Sequence, residues 1–97
     1  MIAKVMIFDD GSLVIWKDRE SVKYEEKDGR AVIVWVDYDA GFFNRGRIIR
    51  ENSLEYWHTS PSETNEPISA EKKAEIIAKL RQYFGNTIGN RPVRVEQ

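Results

Sequence analysis

His58 is the one histidine of the chain and stands directly after Trp57. A histidine near Ser60, Ser62 or a carboxylate can act as general base to a hydroxyl nucleophile. That chemistry needs a nucleophile and an orienting acid at set places, and no nucleophile motif accompanies His58. It reads as a surface or hydrogen-bonded side chain. Asp9-Asp10 and Asp37-Tyr38-Asp39 offer oxygen ligands of the kind a hard cation takes. In a strand Asp37 and Asp39 project to one side, but two carboxylates make a weak site, and turn formation beside Gly11 already explains Asp9-Asp10. With no cysteine and one histidine, zinc lacks its ligands. The six glycines are scattered and form neither a P-loop nor a dinucleotide fingerprint. No catalytic residue, metal or cofactor is expected.

Residues 42–50 hold three arginines and two adjacent phenylalanines without an acid. Arginine with aromatics is the mixture that holds single-stranded nucleic acid by phosphate contact and base stacking, which would use Arg45, Arg47 and Arg50. Three charges supply a small term, and Asp37, Asp39 and Glu51 offset it. A protein interface anchored by Phe42, Arg45 and Arg47 fits the same residues better. A charged strand with Phe42 or Phe43 buried is the first reading of these residues, ahead of either interface. Acids collect downstream: residues 51–75 contain six against two lysines, a separation of charge that can steer a basic partner.

The elements that must position these groups follow from pattern. Residues 2–8 are apolar except for Lys4, and Asp9-Asp10-Gly11-Ser12 then supplies turn chemistry. Residues 13–16 form a second strand with β-branched residues at its centre. After the charged stretch 17–20, Val22 and Tyr24 alternate with polar neighbours, as in a strand wet on one face. Lys27-Asp28-Gly29-Arg30 is another turn signal. Residues 31–36 are apolar on both alternating faces and belong at the centre of a sheet. Arg47-Ile48-Ile49-Arg50 reads as a short strand, and residues 53–58 as another, with Leu54 and Tyr56 on one face and Trp57 on the other. Residues 59–67 form a loop.

Ser69 is a helix N-cap, with Glu71 in the first turn where its charge complements the helix dipole. Ile76, Ile77, Leu80, Tyr83 and Phe84 recur at three- and four-residue steps as one apolar stripe. Lys72, Lys73, Glu75, Lys79, Arg81 and Gln82 fall mostly away from it. Glu75 and Lys79 are spaced for an ion pair, and Gly85-Asn86 is expected to end the helix. Val93 and Val95 alternate as one more edge strand.

A lone amphipathic helix and a one-sided meander each leave an apolar face to be covered. The expected fold is therefore α+β: an antiparallel sheet of about five or six strands, begun by an N-terminal meander, with one C-terminal amphipathic helix packed on one face. Ninety-seven residues make one domain, 1–97. The composition is 41 % hydrophobic with eleven aromatics and a net charge of −1, which excludes a disordered chain and a strongly basic nucleic-acid coat. No apolar run approaches the roughly 20 residues of a membrane-spanning helix, and no secretory signal opens the chain. A cytoplasmic protein without a membrane partner is expected, acting by binding and not as an enzyme.

Ser53-Leu54-Glu55-Tyr56-Trp57, the loop through Pro61 and Pro67, Ile68-Ser69-Ala70-Glu71-Lys72-Lys73, Ile76-Ile77 and Tyr83-Phe84 together resemble the C-terminal half of the immunity protein 74 family of bacterial polymorphic toxin systems. Tyr24-Glu25-Glu26-Lys27-Asp28-Gly29 is similar in outline to a Tyr-Glu pair before a Gly turn in that family. The resemblance implies a stoichiometric inhibitor that binds a cognate toxin directly. Trp57 and Tyr24 are then candidate anchors, with Glu25, Glu26 and Glu55 to meet basic groups, and an exposed third strand could pair with a strand of the partner. Burial of Trp57 and Tyr24 in the core is the competing reading. The alternatives are a self-associating domain, dimeric through a sheet edge or the Phe42-Phe43 patch, and a nucleic-acid-binding accessory domain.

Overall fold

The computed structural model describes residues 5–18, 20–39, 46–59, 66–88 and 93–96. Five consecutive strands, β1 (Val5–Ile7), β2 (Leu13–Asp18), β3 (Ser21–Glu25), β4 (Ala31–Asp39) and β5 (Gly46–Arg50), pair antiparallel in chain order. A 3₁₀ turn, Glu51–Leu54, leads toward helix α1 (Ala70–Ile88), and β6 (Val93–Glu96) returns beside β5. The fold is the expected α+β arrangement, an open six-stranded sheet with one helix. One pairing departs from the antiparallel expectation: β6 runs parallel to β5, as a strand must when a helix carries the chain back over the sheet between two parallel neighbours.

Two hairpins are built from the same chemistry. Phe8 N donates to Ser12 O and Gly11 N to Phe8 O, at 2.8 and 2.9 Å; Glu26 N donates to Arg30 O and Gly29 N to Glu26 O, at 2.7 and 3.0 Å. Each is a three-residue loop whose glycine takes a positive φ, 88° at Gly11 and 100° at Gly29. In each, the preceding aspartate accepts from the amide two residues on, Asp10 from Ser12 and Asp28 from Arg30.

The register aligns alternate residues across the sheet. Val14, Tyr24 and Val32 share one row, and Trp16, Val22 and Val34 the next. Val22, Val32, Val34 and Val36 are fully buried on this face, under Ile76, Leu80, Tyr83 and Phe84 of the helix. Rings and a hydrogen bond tie the helix to β2: Phe84 lies 5.5 Å and Tyr83 6.2 Å from Trp16, and Tyr83 Oη accepts from Trp16 N at 3.2 Å. Burial raises the Tyr83 phenol above its ordinary pKa.

The helix begins as expected, Ser69 Oγ accepting from Lys72 N at 3.1 Å. It does not stop at Gly85-Asn86 but runs to Ile88. Glu75 and Lys79 pair at 3.3 Å. Lys79 is also far more buried than a residue away from the stripe should be. Its ammonium reaches Asp10 at 2.5 Å and Ser12 Oγ at 2.8 Å and lies over the Phe8 and Tyr24 rings.

Two further expectations need correction. Residues 53–58 are no strand: a 3₁₀ turn ends at Leu54, which is buried, and beyond it Trp57 is buried while Tyr56, in an isolated bridge with Pro67, stays outside. The third strand is interior, paired with β2 and β4 along its length, so its backbone is unavailable to a partner. Among the described residues, no helix is long and apolar enough to cross a membrane.

Candidate functional site

Because α1 covers one face only, the alternate residues of the strands remain on a face that, among the described residues, no helix covers. Val5, Ile15, Lys23 and Ile33 align there, as do Ile7, Leu13, Glu25 and Ala31. Trp35 stands on the same face, two residues beyond Ile33. In residues 31–36, apolar on both alternating faces, Val32, Val34 and Val36 are fully buried beneath the helix, while on the other face Ala31 is buried and Trp35 stands half exposed. Val5, Ile7 and Trp35 are 48 %, 70 % and 50 % exposed.

Trp35 borders an open groove of about 570 Å³ shared with Asn52, Ser53, Glu55, Tyr56, Trp57 and His58. Tyr56 is 51 % exposed. The four large hydrophobic side chains that stand exposed among the described residues are Val5, Ile7, Trp35 and Tyr56. Three lie on the helix-free face, and the fourth shares the groove that Trp35 borders.

The groove is held by side chains that act as a strand would. β5 pairs with β4 only from Val36 to Asp39, which leaves the edge at residues 31–35 with donors to satisfy. His58 Nδ1 accepts from Ile33 N at 2.9 Å, and Ser53 Oγ accepts from Trp35 N at 3.1 Å while donating to Arg50 O at 2.6 Å. Ala31 N donates to Thr59 O, and Thr59 N and His58 N donate to Ala31 O. Below, Trp57 N donates to Glu66 O and Ile68 N to Glu55 O. Arg30 fixes Glu66 in turn at 2.7 Å.

The candidate contact residues separate on this frame. Tyr24 is fully buried and Trp57 only 4 % exposed, their rings stacked at 6.3 Å; both are core residues, and as partner anchors they are corrected. Burial, reinforced by the bond to Glu26, raises the Tyr24 phenol above its usual pKa. Glu26 is itself engaged by Tyr24 and by Lys72 at 3.1 Å. Glu25 pairs with Lys23 at 3.1 Å on the open face. Glu55 is exposed at the groove. Arg47 is 8 % exposed with its guanidinium 5.8 Å from the Trp16 ring centre, so its place as a surface contact is also corrected. Arg50 is held by Asp37 at 2.5 Å and Glu96 at 3.6 Å. Phe42 and Arg45 lie outside the described residues. Neither Trp35 nor Tyr56 was singled out from sequence; the spacing of Leu54 and Trp57 by three was the available sign that Tyr56 would turn outward.

Among the described residues, no group of three or more His, Asp or Glu side chains could hold a metal ion. Compared with known proteins, the chain matches no family model, no curated protein and no solved structure.

Proposed function

We propose that this chain is an immunity-type binding protein, a non-catalytic inhibitor that neutralises a cognate bacterial toxin by stoichiometric contact through its helix-free side. The observation that carries this reading is the gathering of Val5, Ile7, Trp35 and Tyr56 on that side. Large apolar side chains collected on one surface and mixed with polar groups make a protein-docking surface, with aromatics as its anchors. The resemblance of residues 53 onward to the immunity protein 74 family supplies the kind of partner. A protein of this kind needs a stiff surface and no reacting group, and the hydrogen bonds that lock residues 53–59 against β4 provide the stiffness.

Co-purification from the native cell is the test. Wild-type protein should retain a toxin in one-to-one ratio, and Trp35→Ala should weaken that complex by about 2 kcal/mol, roughly thirtyfold. Retention of no toxin, or a complex indifferent to Trp35, Tyr56 and Ile7, would overturn the reading.

A second reading is favoured by the β1 edge. β1 ends the sheet and carries Val5 and Ile7 without a charge between them, so two copies could pair β1 to β1 about Met6. Light scattering should then give a dimer that Ile7→Lys converts to monomer; a monomer at every concentration excludes it.

A further inference from the structure

The charge of the groove is one-sided. Glu55 lines it, exposed, and its carboxylate meets no cation among the described residues. Three other acids, Glu25, Asp37 and Glu96, each have a basic neighbour in Lys23 or Arg50, and Asp18 accepts from Glu20 N and Ser21 Oγ. Among the described residues, no lysine or arginine lines the groove. Ser53 and His58 are committed to the amides of Trp35 and Ile33. The Nδ1 of His58 is used and its Nε2–H is a donor, so what remains in the groove to accept or stack against a ligand is the Glu55 carboxylate, the Asn52 amide oxygen and the half-exposed rings of Trp35 and Tyr56.

This set matches one side chain better than others. A guanidinium is flat, lies against aromatic faces, and presents several N–H donors in a plane that a carboxylate and an amide oxygen can accept. An ammonium would satisfy Glu55 and can sit over a ring, as Lys79 does over Phe8 and Tyr24, but it has no flat face to lie along an indole and no planar fork of donors. An uncharged planar group would stack but leave Glu55 facing a neutral partner. We infer that the groove receives an arginine side chain of the partner protein, stacked on Trp35 and paired with Glu55. The inference rests on the proposed docking function of this side and names the chemistry the partner must bring.

Titration of the full chain with N-acetyl-arginine amide, followed by NMR, tests it. N-acetyl-citrulline amide serves as the control, because it keeps the shape and planarity without the charge. The arginine compound should shift the Trp35 indole N–H and the amides of residues 53–58 along a saturable curve, with a dissociation constant on the order of 10 mM. It should bind at least about tenfold more tightly than the citrulline compound. Glu55→Gln should lose about tenfold of that affinity, and Trp35→Ala should abolish saturation. Both residues are exposed, and unchanged signals from Tyr83 and Phe84 will show that each variant is folded. Equal responses to the two compounds, no response in the groove, or affinity unaffected by both substitutions overturns the inference. A chain indifferent to arginine that still retains a toxin through Trp35 refutes the arginine site alone. Arginine binding with no toxin retained refutes the proposed function and leaves the site standing.

Discussion

The Nδ1 of His58 accepts a hydrogen bond from the backbone amide of Ile33 at 2.9 Å. The one histidine of the chain thus spends the lone pair a general base would use on closing the edge of β4. The bond sets the imidazole as the tautomer with its proton on Nε2. His58→Ala should cost about 1 kcal/mol in urea unfolding, the value of one exposed hydrogen bond whose donor can turn to water. His58→Asn, whose amide oxygen can accept, should cost less. Equal midpoints for wild type and His58→Ala would show that the contact contributes nothing.

The two tryptophans nearest the groove should respond oppositely to truncation. Trp57 is buried beneath Tyr24, so Trp57→Ala should lose about 3–5 kcal/mol. Trp35 is half exposed, so Trp35→Ala should lose under about 1 kcal/mol. Denaturant midpoints check both. A small loss at Trp57 would return it to the list of surface anchors.

These two residues also show what could be read from sequence. The hairpins, the capped helix, its stripe and the interior place of β4 follow from local rules, because turn chemistry and periodicity act within a few residues. Trp35 sits in a run whose both faces are apolar, and nothing local says that only one face receives a helix. That is decided by the presence of a single helix for the whole sheet. Leu54 and Tyr56 do not share a face because the 3₁₀ turn at Glu51–Leu54 breaks the extended period before the chain reaches Tyr56, which is exposed while Trp57 is buried. Lys79 was read from its own helix face, while its strongest partner, Asp10, comes from the first hairpin.

Two glycines should have opposite signs. Gly29 holds φ at 100° with open space around its Cα. Gly29→Ala should therefore lose about 1 kcal/mol through backbone strain alone. Gly85 lies within the helix, exposed, and an added methyl meets nothing within 4 Å. Gly85→Ala should gain about 0.5–1 kcal/mol. Thermal or urea unfolding of the two variants reads the signs directly, and a loss at Gly85 would argue that the helix needs its glycine.

Lys79 joins α1 to the first hairpin, and the junction should carry a pH signature. The hydrogen bond from Lys79, with those from Ser12, holds the Asp10 carboxyl well below its ordinary 3.8. Burial alone would lower Lys79, but Asp10, Tyr24 and Glu75 outweigh it and hold the ammonium above its ordinary 10.5. A carboxylate with a depressed folded-state pKa contributes fully above its unfolded value and loses that contribution as pH falls through the folded one. A lysine with a raised value contributes fully below its unfolded pKa and loses the contribution as pH rises through the folded one. The pair should therefore stabilise fully between about pH 5 and pH 9. Asp10 is half exposed, so solvent screening limits the coupling to about 1 kcal/mol. A double-mutant cycle with Asp10→Asn and Lys79→Met, which keeps the stem over Phe8 and Tyr24, should return that coupling at neutral pH. The difference between wild type and Asp10→Asn should shrink as the solution is acidified below about pH 4. A difference that stays constant through acid would mean that the charge of Asp10 contributes nothing to seating the helix, which its apolar stripe and the Tyr83 and Lys72 contacts would then hold.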